Sequence, residues 1–249
     1  MATLTGKHVV VVGATGGVGA AIVRRVVAED ARTLAVARGR TALDQLAREI
    51  AGLDVMVLDA SHEDAPAAVF DAVTPDVLVI SGGARPPAAP LHEMTWLQFA
   101  VNWESDVKMS FCFCKAALGM PLRQGSTVIL ISSGAGLGGS PISGGYAGAK
   151  RTQMFIANYS QKESSRLQLG IRFLALAPAM IMPGTSLGRF AVESYARYLG
   201  VSVADFISSL KRPQTPDDVA EAVIELVSSP TKRAGSMFSV SHDGIAVVP

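Results

Sequence analysis

Short apolar, β-branched runs alternate along the chain with longer Ala/Leu/Val-rich stretches of amphipathic spacing, the pattern of repeated βαβ units around a parallel sheet. The apolar runs predict strands at 7–12, 32–37, 54–59, 76–81, 126–132, 171–177 and 236–240, with helices filling the gaps. One stretch breaks the rhythm. From Pro183 to Pro213 the chain opens on Pro-Gly, carries two short amphipathic patches around Tyr195 and Phe206, and leads to no strand, as a lid would. The expected fold is therefore α/β: a single Rossmann-type, doubly wound parallel sheet of about seven strands, with helices on both faces and a substrate lid over 183–213.

Composition sharpens this picture. Hydrophobic residues make up 49% of the 249 positions and charged residues only 17%, as expected for a sheet buried on both faces in one large domain. A helical interface between copies of the chain would also use that apolar surplus. The formal net charge of +1, with both signs interspersed, gives no electrostatic footprint for nucleic acid or an anionic membrane. Neither is expected as a partner. The only cysteines, Cys112 and Cys114, fall two apart in a predicted helix, too divergent to bridge, and read as core thiols. His8, His62, His92 and His242 are scattered, so no metal site is expected. No apolar run approaches the roughly 20 residues that span a bilayer, and cytoplasmic residence is the default expectation.

Candidate chemistry enters at the first strand exit. Gly13-Ala-Thr15-Gly-Gly17-Val18-Gly19 follows strand 7–12 and opens the first helix, where glycines let the backbone approach a pyrophosphate and the helix N-terminus offers amides. The second strand ends Ala37-Arg38. It provides no carboxylate for a free ribose 2′-hydroxyl, whereas the Arg38 guanidinium suits a 2′-phosphate, so NADP(H) is preferred and NAD(H) is the alternative. Thr15 adds a hydroxyl. Asp59, at the end of the third strand, either meets the adenine amino group or caps the next helix.

Further along, Tyr146 and Lys150 lie four residues apart on one helical face, preceded by Ser132 and Ser133. With the glycine turn, these residues resemble the short-chain dehydrogenase/reductase family over essentially the whole chain. Its Tyr-x-x-x-Lys is matched by Tyr146-Ala-Gly-Ala-Lys150, its serine by Ser133, its upstream helix asparagine by Asn102, and its strand-six exit by Pro178-Ala-Met-Ile181. The resemblance implies a nucleotide-dependent redox enzyme in which Tyr146 is general acid, Ser133 holds the substrate oxygen, Lys150 assists the phenol and holds the nicotinamide ribose, and Asn102 supports a water leading to Lys150. A free phenol titrates near pKa ~10, so a neighbouring cation is what fits it for the return reaction. Ser132 is the alternative hydroxyl.

Three departures accompany the match. The family's Asn-Asn-Ala-Gly is Ile80-Ser81-Gly82-Gly83 here; Gly82 and Gly83 still permit close approach to the adenosine ribose. The usual glycine after Pro178 is Ala179, and Pro183 stands where a threonine is common, with Thr185 two residues on. Leu187, Phe190, Tyr195, Tyr198, Leu199 and Phe206 give the lid an apolar surface, so the leading expectation is reversible reduction of a hydrophobic ketone. The departures motivate a non-redox isomerase or dehydratase as rival; a nucleotide-binding sensor is a further one. The resemblance also implies a homodimer or homotetramer through the helices at 112–118 and 149–159.

Overall fold

In the computed structural model, which describes residues 3–210, 212–228 and 236–248, eight strands form one sheet. In chain order they are β1 (His8–Val12), β2 (Arg32–Ala37), β3 (Asp54–Val57), β4 (Val77–Ile80), β5 (Thr127–Ile131), β6 (Arg172–Pro178), β7 (Met237–Ser241) and β8 (Gly244–Val247). Their spatial order is β3-β2-β1-β4-β5-β6-β7-β8. All neighbours are parallel except β7 and β8, which pair antiparallel. The sequence pattern omits β8. It is a short, largely exposed edge strand with no buried run, and its tight return from β7 is completed by Gly244 at φ +102°.

The central strands are covered on both faces, and β1 shows how. Val9 and Val11 join one core cluster, with Ile22, Val23 and Val26 of α1 (Gly17–Ala28) and Val219 and Val223 of a late helix at 216–228. Val10 and Val12 join the other, with Phe113, Met154 and Phe173. Alternate side chains thus leave opposite faces of one strand, which is why the run reads Val-Val-Val-Val rather than apolar-polar. Fully burying a side chain such as Phe113 or Ile22 contributes about 1.5–3 kcal/mol.

The remaining helices are α2 (Arg40–Glu49), α3 (Ala65–Ala72), α4 (Trp96–Asn102), α5 (Lys108–Gly119), α6 (Ala135–Gly138), α7 (Gly144–Arg166), α8 (Ser186–Leu199), α9 (Val203–Ser209) and α10 (Pro216–Ser228). A π-turn over Trp103–Val107 joins α4 to α5. α4 begins at a reciprocal capping box in which Gln98 N donates to Thr95 Oγ1 and Thr95 N to Gln98 Oε1. The segment 183–213, expected as a lid, holds α8 and α9, with Lys211 lying outside the described residues. Its helices are longer and better defined than two amphipathic patches suggest. Thr185 and Ser202 cap their N-termini, Gly200 ends α8 in the left-handed conformation, and Tyr195 stacks on Phe206 to join them.

The chain winds outward from β1 to β3, then returns to add β4 on the other side of β1. The crevice of a doubly wound sheet opens where the order reverses, at the carboxyl ends of β1 and β4. Gly13 and Gly82 meet there.

Candidate active site

Two adjoining cavities occupy this crevice. The larger, about 640 Å³, is lined by Gly17, Val18, Gly19, Ser133, Tyr146, Lys150, Pro178 and Ile181 among others. The smaller, about 380 Å³, is lined by Gly13, Thr15, Arg38 and Asp59. Gly16, Ser81, Gly82, Gly83 and Ala84 line both and mark the junction. The glycine turn shapes it: Gly13 has φ +81°, and a Cβ there would stand 2.4 Å from Gly82 N. A Cβ on Gly19 would fall 2.1 Å from Gly13 O, so this glycine lets α1 start tight against the turn. No side chain caps the N-terminus of α1, and its first turn holds no carboxylate. Its amides and positive dipole end therefore suit a pyrophosphate at the junction.

Arg38 sits at the rim of the smaller cavity, 3.9 Å from Asp59, with side chains 70% and 37% exposed. Asp59 Oδ1 accepts from both the Ser61 amide and the Ser61 hydroxyl. Those bonds, ahead of Arg38, hold the Asp59 carboxyl below its ordinary range. Asp59 thus caps the turn after β3 rather than the next helix, whose N-cap position is held by Asp64, while Arg38 keeps its guanidinium at the surface. Ile80 is buried in the core and Ser81 N donates to Val12 O, so the replaced asparagines leave the backbone cradle closed.

At the other end, β5 and α7 separate the two serines. Ser132 is buried, and its hydroxyl donates to the Lys150 carbonyl at 2.7 Å, which ties the strand end to the helix. Ser133 lines the larger cavity, and its Oγ accepts from Ala135 N, leaving the hydroxyl hydrogen free to donate. Tyr146 is half-buried on the same wall. Gly145, beside it, is required by close packing: a Cβ there would be 2.1 Å from Phe99 O on α4. Lys150 Nζ lies 5.5 Å from the Tyr146 ring centroid and donates to Ile131 O at 3.2 Å. Gln214, buried, accepts from Met180 N and donates to Val240 O, fixing the loop after β6 that forms the facing edge.

The Asn102 side chain makes no direct hydrogen bond to Lys150, its expected link to which runs through a water. Its amide donates to Ala84 O at 2.8 Å and to Asp106 Oδ1 at 3.2 Å. The residue that meets Lys150 is Asp106, four positions on, with Oδ2 3.1 Å from Nζ and both side chains buried. Asp106 Oδ1 also accepts from Ala84 N at 2.9 Å and from the Ser105 hydroxyl at 2.6 Å. Burial pushes the Lys150 ammonium down, but Asp106, with a smaller contribution from Tyr146, more than offsets this and holds it above its ordinary value. The sequence held one signal for Asp106, an i, i+4 partner of Asn102 on the same helix. The π-turn that swings it toward Lys150 has no comparable signature.

Met182, together with Leu187 and Phe190 of α8, lines the larger cavity, and the Ser143–Ser140–Tyr195 hydroxyl chain, each link 2.7 Å, joins α8 to the start of α7. Arg85 lies over the Phe190 ring at 5.4 Å. The Thr185 hydroxyl, a candidate replacement for the family's threonine, accepts from Gly188 N and donates to Met182 O.

A family profile described as short chain dehydrogenase matches residues 7–193. The chain belongs to the short-chain dehydrogenase/reductase family. Among relatives of this short-chain dehydrogenase/reductase, L-xylulose reductase of Bos taurus is 31% identical over 43% of the chain and 46% of its own length. The chain thus spans under half of that relative. Cis-4-hydroxycyclohexanecarboxylate dehydrogenase of Sinomonas cyclohexanicum is 27% identical over 88% of each chain. A crystal structure of a point variant of actinorhodin polyketide ketoreductase with NADPH shares the fold, with TM-score 0.82, 22% identity and 94% coverage of both chains. Among the described residues no helix is long and apolar enough to cross a membrane.

Proposed function

We propose that this short-chain dehydrogenase/reductase reduces a ketone to a secondary alcohol with NADPH, reversibly. The observation that carries the reading is the convergence of Ser133, Tyr146 and Lys150 on the cavity that also receives the glycine turn and the Pro178–Ile181 edge. The α1 N-terminus and Gly13, Gly17 and Gly19 would hold the pyrophosphate, Gly82 and Gly83 the adenosine ribose, Arg38 the 2′-phosphate, and Lys150 the nicotinamide ribose. The bound nicotinamide supplies the hydride. The protein handles the oxygen: reduction builds negative charge there, Ser133 donates a hydrogen bond to it, and Tyr146 passes it the phenolic proton. Lys150 holds positive charge beside the ring through the transfer.

The substrate is an apolar carbonyl compound, because Met182, Leu187, Phe190 and Ile142 line the same cavity as Ser133 and Tyr146. Arg85 at the mouth is the cation that an acidic substituent would meet. The name of the Sinomonas relative places a carboxylate on a cyclohexanol, so an oxocyclohexanecarboxylate belongs in the test panel beside neutral cyclic ketones. Phe111 of α5 and Phe155 and Tyr159 of α7 are more than half exposed, and Phe155 stacks on Tyr159; this apolar surface suits a homodimer or homotetramer.

The test is to incubate the protein with NADPH and each ketone and measure oxidised cofactor against alcohol formed. One-to-one consumption is expected, with NADH much slower. Product formed without cofactor consumption would instead favour the isomerase or dehydratase reading.

A further inference from the structure

The carboxylate of Asp106 is the group in the catalytic wall whose charge the reductase reading leaves unused. Three donors converge on its Oδ1, namely Ala84 N, the Asn102 amide and the Ser105 hydroxyl, and the Lys150 ammonium forms an ion pair with Oδ2. An ionised, acceptor-only carboxylate satisfies that set. Gly83 makes room for it, since a Cβ at that position would stand 2.5 Å from Oδ2. Behind it, Ser110 Oγ donates to the Asp106 carbonyl and Gln153 Nε2 to Ser110 Oγ, so the backbone is fixed as firmly as the side chain. The residue is 1% exposed.

Lys150 acts on Tyr146 through its charge, and a carboxylate 3.1 Å from Nζ cancels part of that charge. Resting on the reductase reading, we propose that Asp106 is a positioning residue that fixes Lys150 and, by screening its charge, keeps the Tyr146 phenol protonated. The site is thereby biased toward carbonyl reduction, and alcohol oxidation is confined to more alkaline pH.

Among the described residues no other charged group competes for this role: on α5, Lys108 pairs with Glu63 and Lys115 lies over the exposed Phe111. α4, β5 and α6 carry no ionisable side chain, and α7 adds, near Tyr146, only Lys150 and the exposed Arg151. The π-turn adds the exposed Glu104, and the charged residues of α8 (Arg189, Glu193 and Arg197) are exposed. Across the cavity stand Tyr195, bonded to Ser140, and Arg85, over Phe190 at the mouth.

The experiment compares wild type with Asp106→Asn, each bound to NADP+, in two ways. One is the pH profile of kcat/KM for alcohol oxidation. The other is the absorbance titration of phenolate, with the same background carrying Tyr146→Phe subtracted. Removing the countercharge is expected to move both midpoints to lower pH by about one unit or more. Asp106→Ser is a second neutral variant, should the first fail to fold, and is expected to follow it. Asp106→Glu, which keeps the charge, is expected to retain the wild-type midpoint even if slower, and Ser105→Ala, which removes one donor and no charge, to leave it in place. Midpoints that stay or rise in the neutral variants, or that fall equally in Asp106→Glu, overturn the proposal. A fall in the absorbance midpoint without turnover of any alcohol supports it and counts against the reductase reading instead.

Discussion

The same pair of charges, a basic side chain facing an aspartate, stands at each end of the crevice with opposite consequences. Arg38 and Asp59 are 3.9 Å apart with side chains 70% and 37% exposed, and Asp59 spends its better hydrogen bonds on Ser61. Lys150 and Asp106 are 3.1 Å apart at 7% and 1% exposure, held further by bonds to Ala84, Asn102, Ser105 and the Ile131 carbonyl. Solvent screens the first pair, which is worth well under ~1 kcal/mol and leaves Arg38 available to a ligand. The second pair cannot exchange partners with water, so removing either member strands a charge. The Arg38 end of the crevice is therefore adaptable, and the Lys150 end is committed.

The sharpest way to break this comparison is Lys150→Met, which leaves Asp106 buried without its cation. A stability loss of about 3–5 kcal/mol is expected from urea unfolding, against no more than about 0.5 kcal/mol for Asp59→Ala. Equal losses would show that the two pairs do not differ in kind. Next in size, Gly19→Ala places a Cβ 2.1 Å from Gly13 O, and the forced shift of the turn is expected to cost about 1–3 kcal/mol and to abolish NADPH binding in calorimetry. Arg38→Ala is expected to weaken NADPH by roughly 1.5–3 kcal/mol, the value of hydrogen bonds to a charged group, while NADH binding holds. The folded Lys150 ammonium is held above its ordinary 10.5, so the pair's contribution is complete below that pH and is lost as pH rises beyond it. Urea midpoints in the alkaline range should fall in wild type and barely move in the double variant Lys150→Met, Asp106→Leu. The smallest effect concerns a buried thiol of α5. Burial pushes the Cys114 thiol up to about 12, so iodoacetamide at neutral pH should leave it unmodified until the protein unfolds.

Much of this was legible in the chain because it rests on local rules. Strand runs such as Val-Val-Val-Val, the glycines that admit the backbone at Gly13 and Gly19, and the one-face spacing of Tyr146 and Lys150 each follow from period or sterics. Arg38 reached the smaller cavity because a strand end is a fixed place in this topology. What remained hidden depends on contacts distant in sequence. Asn102 carried the family's signature, yet a π-turn after it brings Asp106 to Lys150. Ser132 and Ser133 could not be separated until the Lys150 carbonyl claimed one hydroxyl. β8 and the length of α8 were missed because an edge strand lacks a buried run and the lid helix mixes polar positions into its exposed face.

The most direct test of the central claim is Tyr146→Phe, with NADPH affinity measured by calorimetry on the same preparation as turnover of the best ketone. Cofactor binding within a few-fold of wild type, with turnover lowered by about 10²–10⁴, is the predicted result for the loss of a general acid. Unchanged turnover in a variant that still binds NADPH would contradict it.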